Sequence, residues 1–259
     1  MITAYHRPQK LDEALTLLAQ PNTVPLGGGT LLSHPTPFGP AQGKLDPVSV
    51  VDLQHLGLDS INKKGNPSTG SGQALEIGAT VTLQQLLESE HCLAALKVAI
   101  KLEAPINIRN SATVAGTLVA SDGRSPFATA LLSLDAKLII VNRQSSIVNL
   151  GEFLPLRPRG LITSIIIPLN PKLAFEFVSR TPADKPIICA ALTQWNSGRT
   201  RLALGGYGKS PLLAMDGTEA DGLEAAASNA YHEANDEWAS AEYRMDVAAV
   251  LAKRCLEKI

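Results

Sequence analysis

Three consecutive glycines, Gly27-Gly28-Gly29, follow a short apolar stretch, Thr23-Val24-Pro25-Leu26, and lead into Thr30, Leu31 and Leu32. No other segment restricts the fold as sharply. Residues without Cβ atoms give the backbone access to positive φ and let another segment or a ligand come close. Successive N–H groups in such a turn form a concavity that suits an anion, and Thr30 adds a hydroxyl donor. The spacing is neither the G-x-G-x-x-G fingerprint nor a P-loop, since no Lys follows. Taken alone, the triplet reads as a tight turn at least as readily as a binding site.

A second segment has the same character. Ile108-Arg109-Asn110-Ser111-Ala112-Thr113-Val114-Ala115-Gly116-Thr117-Leu118 mixes small residues with hydroxyl donors. By itself it reads as a small-residue turn or as a second phosphate cradle. The elements around both segments follow from periodicity and punctuation. Leu11, Ala14, Leu15 and Leu18 fall at helical spacing, with Asp12 and Glu13 suited to a first turn and Pro21 as a stop. Thr23–Leu26, 48–53 and 75–79 read as strands, and Thr82 as the cap of a helix whose apolar face is Leu83, Leu86 and Leu87. A further helix is expected from His91 to Ala104, ended by Pro105. Ser125-Pro126 opens another. Residues 136–142 and 161–168 read as strands, and 174–179, 187–195 and 199–207 as three antiparallel ones. Helices follow Pro211, the last from Ala239 to Lys258. Residues 33–47 and 63–73, rich in Pro, Gly and Ser, read as long loops.

The chain has 259 residues, of which 45% are hydrophobic and 18% charged, which is enough apolar material for a sizeable core. Its net charge of −1 supplies no basic excess for a phosphate backbone, so nucleic-acid binding is not expected. No apolar run reaches the ~18–20 residues of a membrane span. The N-terminus carries no basic segment followed by an apolar one, so a cytoplasmic location is expected. Cys92, Cys189 and Cys255 are far apart and the five histidines are scattered, so no metal or iron–sulfur ligand set is expected within this chain. Three reduced thiols fit that compartment.

Together and in this order, the motifs resemble the FAD-binding subunit of the xanthine dehydrogenase and carbon monoxide dehydrogenase family of molybdenum hydroxylases. That family has a Gly-Gly-Thr loop after its first strand, then Ile-Arg-Asn-x-Ala-Thr-Ile-Gly-Gly-Asn, then a Leu-Leu-Ala-Leu-Asp-Ala helix end. Ile108 to Thr113 and Leu131-Leu132-Ser133-Leu134-Asp135-Ala136 match closely, and Ile77-Gly78-Ala79-Thr80-Val81-Thr82 resembles the motif between the loops. Phe177-Val178-Ser179-Arg180 to Asp184, Leu202 to Gly206 and Ala241-Glu242-Tyr243-Arg244 extend the likeness over nearly the whole chain.

The resemblance implies an α+β fold: a two-lobed FAD-binding fold of the vanillyl-alcohol-oxidase (PCMH) type, plus a C-terminal antiparallel sheet with helices. The FAD-binding domain is expected over 1–168, with lobes of about 1–54 and 55–168, and the C-terminal flavoprotein domain over 169–259. The implied FAD-lining residues are Pro25, Leu26, Gly27, Gly28, Gly29, Thr30, Leu31, Leu32, Thr113, Gly116, Thr117, Ser121, Asp122, Ile162 and Asp184. The glycine loop with Thr113, Gly116 and Thr117 would hold the diphosphate by N–H and hydroxyl donors. Ser121 and Asp122 would face the sugar side, and Ile162 would pack on the ring system.

Departures from the family pattern stand at the same place. Leu31 replaces an acid, Ala115 and Thr117 replace a Gly and an Asn, and Pro126 occupies the position of an Asp that helps hold the flavin. Ala115 would be strained if its φ were positive. Asp122 reads as a substitute acid or a solvated turn residue, Arg124 as a phosphate contact or a solvated charge, and Lys185 as a surface charge.

Function is implied in the same way. FAD carries the chemistry while the protein supplies position and electrostatics. The resemblance implies an electron-transfer subunit beside an iron–sulfur subunit and a molybdenum-cofactor subunit, with NAD⁺, a quinone or another molecule as acceptor. No catalytic residue is expected here. A flavin-free scaffold with the same fold is the alternative. A flavin enzyme acting alone would need a substrate pocket with a base or a covalent His or Cys link, and neither loop segment, 26–32 or 108–118, contains a His or Cys.

Overall fold

Strands β1 (Ile2–His6), β2 (Thr23–Leu26) and β3 (Val48–Asp52) form a sheet in the order β1-β3-β2, with both pairings parallel. The computed structural model describes residues 2–31, 48–65, 72–142 and 144–259. A parallel pair needs a crossover, and α1 (Leu11–Leu18) connects β1 to β2. Leu11, Leu15, Leu17 and Leu18 of α1 pack with Ala14, Val51, Leu53 and Leu161 in a small core. β1 leaves no trace in the sequence pattern because none of its side chains is fully buried.

The middle of the chain builds a second sheet from β4 (Ile61–Gly65), β5 (Gln73–Gly78), β6 (Lys137–Val141), β7 (Ser145–Asn149) and β8 (Leu161–Pro168). The order is β4-β5-β8-β6-β7, antiparallel throughout. Between β5 and β6 run α2 (Leu83–Glu88), α3 (Ala94–Glu103), α4 (Ile106–Arg109), α5 (Val114–Ala120) and α6 (Pro126–Ser133), and α7 (Leu150–Leu156) follows β7. Leu75, Ile77, Leu138, Ile165 and Ile167 from the sheet meet Leu86, Ile100, Leu118, Phe127 and Leu131 from the helices in the main core. Thr82 caps α2 through a reciprocal pair with Gln85, which satisfies two otherwise orphaned donors. Ser125 caps α6, whose eight residues are all buried.

The third sheet is an antiparallel meander, β9 (Lys172–Val178), β10 (Ile188–Gln194), β11 (Thr200–Gly205) and β12 (Leu212–Gly217), with α8 (Leu223–Asn229) and α9 (Ala241–Glu257) after it. One face carries Ile188, Ala190, Leu192, Leu202 and Leu204 against Leu223, Ala248, Leu251 and Cys255. The other face lies on α6, and Phe175, Cys189, Ala191 and Ala203 join the main core there. Both faces are therefore covered, which is why the strands read as nearly continuous apolar runs.

The elements differ from the sequence expectations in a few places. The helix expected from His91 begins only at Ala94, because residues 89–92 form turns. The second small-residue segment contains α4 and α5. Residues 63–65 and 73 lie in β4 and β5, whereas 66–71 fall outside the described residues. The expected loop 33–47 also lies outside them. A strand, β12, precedes the C-terminal helices, and β4, β7 and α7 are additional.

Candidate functional site

The two glycine- and threonine-bearing segments touch. A Cβ on Gly28 would lie 1.7 Å from the backbone oxygen of Ser111, and one on Gly27 would lie 2.7 Å from Thr113 Oγ1. Gly29 has φ +69°, which a side chain would strain. The glycines thus serve a close approach between β2's exit and the start of α5. The motif Ile77 to Thr82 supplies the third side. Val81 O accepts from Val114 N–H at 2.8 Å, Ala79 O from Ala115 N–H at 3.4 Å, and Ala112 O from Leu83 N–H at 2.9 Å. Three motifs distant in sequence become one junction.

The donors at that junction divide sharply. The N–H groups of Gly27, Gly28 and Thr30 meet no protein acceptor among the described residues. The amides at the start of α5 are all engaged: Val114 and Ala115 as above, Gly116 on Thr113 Oγ1 at 3.2 Å, and Thr117 on Thr113 O at 2.8 Å. The Thr117 hydroxyl also donates to Thr113 O. Thr113 Oγ1 accepts from Gly116 and has its own proton left to give, next to Gly27. Free donors therefore belong to the first loop and to one hydroxyl, while the expected donors of Gly116 and Thr117 are spent on their own helix.

The remaining predicted residues spread around this centre. Pro25 and Leu26 end β2, where Leu26 O accepts from Leu53 N–H. Leu31 is 67% exposed just beyond the loop, and Leu32 lies outside the described residues. Ser121 donates its hydroxyl to Leu118 O. Asp122 Oδ1 accepts from Arg124 N–H, a turn contact. Ile162 is 5% exposed and Thr113 6%, both within the main body of the second lobe, with Ile162 in the main core. Asp184 pairs with Arg180 at 3.4 Å in the connection between β9 and β10. Ala115 is the second residue of α5 and is not among the positive-φ residues, so the strain considered from sequence does not arise.

Charged groups elsewhere in the chain act between segments. Glu103, 9% exposed, accepts from the Ser125 hydroxyl at 2.6 Å, Phe127 N–H at 3.1 Å and Lys185 Nζ at 2.9 Å. It places a carboxylate at the N-terminus of α6, where the helix dipole favours it. Lys185, expected to be a surface charge, is partly exposed and also bridges to Glu103. Arg124 donates to Lys185 O and Pro186 O and lies over the Trp238 ring, as does Arg180. Arg157 reaches the end of α5. Nothing in the sequence singles out Glu103 or Arg157, because the hydrogen-bonding partners named here lie 22 to 82 residues away.

The geometry can be set beside known proteins. Residues 1–170 match the family described as the FAD binding domain in molybdopterin dehydrogenase. The Escherichia coli K12 protein YgfM is 29% identical over 97% of this chain and 94% of its own. The reconstituted CO dehydrogenase from Oligotropha carboxidovorans has a chain of similar fold, with a TM-score of 0.78 at 25% identity, covering 98% of this chain and 96% of that one. Quinoline 2-oxidoreductase from Pseudomonas putida 86 shares the fold at a TM-score of 0.78 and 20% identity, covering 98% and 95%. A match over nearly two thirds of the chain, joined to a fold shared from end to end, means that this protein belongs to the family of FAD-binding domains in molybdopterin dehydrogenases.

Proposed function

We propose that this chain is the FAD-binding, electron-transfer subunit of a molybdenum hydroxylase complex, working beside an iron–sulfur subunit and a molybdenum-cofactor subunit and not oxidising a substrate alone. The observation that carries the reading is the donor cluster at the junction: the N–H groups of Gly27, Gly28 and Thr30, which meet no protein acceptor among the described residues, next to the Thr113 hydroxyl. A nest of that kind suits a diphosphate. When bound, FAD would accept electrons and pass them on. The chain's own part is to hold the diphosphate at Gly27–Thr30, with Thr113 donating from the facing segment. Gly116 and Thr117 shape the turn instead of contacting the ligand. No residue near the junction is required to move a proton. The absence of clustered Cys or His ligands among the described residues supports separate partner subunits for the other centres.

A flavin-free scaffold subunit is the second reading, supported by one observation: every amide in the first turn of α5 already has a protein acceptor. Titration of the purified full chain with FAD, followed by flavin absorbance and fluorescence, separates the two. Stoichiometric uptake supports the flavin subunit. A chain that stays colourless after incubation with excess FAD is the scaffold.

A further inference from the structure

α5 brings Thr113 to one end of a seven-residue helix and Ser121 to the other. A helix C-terminus leaves its last carbonyls without partners inside the helix. Arg157 supplies them from a remote segment. Its Nη1 donates to Leu118 O in a short bond and reaches Val119 O at 3.5 Å. Its Nη2 donates to Ser121 O at 2.7 Å and to Ser121 Oγ at 3.3 Å. A cation at that end also complements the helix dipole.

The backbone of Arg157 is a second, independent sign. It adopts the left-handed region, φ 44° and ψ 55°, directly before Pro158. A non-glycine residue is uncommon there, and a following proline pushes the preceding residue towards extended backbone. Such a conformation persists where the surroundings over-determine it, and the four carbonyl and hydroxyl contacts are that surrounding. They tie the α7–β8 connection to the last turn of α5.

We infer that Arg157 is a positioning residue for the flavin site: it fixes α5 so that Thr113 faces the Gly27–Thr30 loop and Ser121 closes the helix. This rests on the FAD-binding reading proposed above. Arg157 touches none of the diphosphate-facing donors; among the expected FAD-lining residues it contacts Ser121, and its effect on Thr113 passes through α5.

Two variants of the full chain test it. Arg157→Gly keeps the left-handed backbone at no strain but removes the guanidinium, and Arg157→Lys keeps a charge and a donor. Each is titrated with FAD by fluorescence, the visible circular dichroism of the bound flavin is recorded, and melting is measured without FAD. Arg157→Gly should lower the melting temperature by an amount on the scale of losing hydrogen bonds from a charged group, and, at a temperature where the variant is fully folded, weaken FAD by about tenfold or more with an altered flavin dichroism. Arg157→Lys should recover most of both. Wild-type affinity and dichroism in Arg157→Gly would overturn the inference. So would a variant whose loss of flavin only tracks a loss of melting temperature and is not rescued by Lys. If the wild-type chain itself takes up no FAD, the cofactor reading fails first and this inference with it.

Discussion

A single missing Cβ decides how closely the two phosphate-facing segments can pack. At Gly28 the nearest obstacle is the Ser111 carbonyl, a backbone atom that cannot rotate away. Gly28→Val must therefore part the loops, at a cost on the order of 1–3 kcal/mol typical of overpacking. The expected outcome is loss of FAD retention with far-ultraviolet dichroism largely unchanged; flavin content equal to wild type would argue against the site. The cysteines make the opposite case, of residues whose chemistry is switched off by burial. Burial pushes the Cys92 thiol up to about 11, and the Cys189 and Cys255 thiols up to about 12. At pH 8 all three should resist iodoacetamide in the native protein and react once it is unfolded, as intact-mass measurement would record. Rapid native labelling of Cys189 would contradict its packing against α6.

Between elements, the ion-pair group on β11 and β12 joins the third sheet to the α6–β6 turn. Arg199 contacts Asp216 at 2.8 Å and Asp135 at 3.0 Å, and the buried Arg201 bonds Asp216 in a short contact and Leu132 O at 3.2 Å. The Arg199 hydrogen bond to Asp216, more than any other influence, holds that carboxyl below the usual range, against the effect of burial. A folded-state pKa below the unfolded one contributes stability above roughly pH 4, the ordinary value for Asp, and loses it as the pH falls through the folded value. Asp216→Asn should lower stability at pH 7 by about 1–2 kcal/mol. Melting temperatures of variant and wild type should converge towards acid pH. A constant gap from pH 7 to pH 2 would show that the carboxylate's charge is not what stabilises this contact. The same logic explains the Ala241–Arg244 motif. Arg244 is fully buried, donates to Ala234 O and Ala239 O at 2.8 Å, and pairs with Asp236 at 2.9 Å. That motif anchors the loop before α9.

At the scale of the whole molecule, the division proposed at residue 168 is a boundary of topology more than of packing. The second sheet ends at β8 and the third begins at β9, yet the main core crosses between them. Phe175, Cys189, Ala191 and Ala203 belong to the same buried cluster as Leu131 and Phe127. Ser133 Oγ and Thr193 Oγ1 lie 2.9 Å apart, both buried, across that seam. We accordingly propose that residues 1–168 and 169–259 are named units that fold together. A fragment ending at residue 168 would expose the apolar face of α6 to water and should lack a cooperative melting transition and bind a hydrophobic dye. A sharp melt and a well-resolved near-ultraviolet dichroism from that fragment would show an independent domain. No helix among the described residues is long and apolar enough to cross a membrane.

Local chemistry carried much of this protein in plain view. Leu11 to Leu18, Thr82 with Gln85, Ser125 with Pro126, and the apolar runs at 161–168 and 187–195 announce their elements, since caps, periodicity and burial are set within a few residues. The order of the glycine loop, the Ile77–Thr82 motif and the Ile108–Leu118 segment likewise sufficed to indicate the family. Tertiary structure alone decided which donors at the junction are free. The resemblance implies Gly116 and Thr117 as ligand contacts, and only the folded chain shows that their N–H groups already meet acceptors on Thr113. The resemblance implies that Ile162 packs beside the flavin, and only the folded chain shows that it belongs to the main core. Arg157 and Glu103 had no signal at all, because their partners become neighbours only once the chain has closed. The glycine triplet was readable as a place of close approach; that it approaches Ser111 and Thr113, and leaves Gly27, Gly28 and Thr30 with N–H groups to offer, is a property of the packed junction.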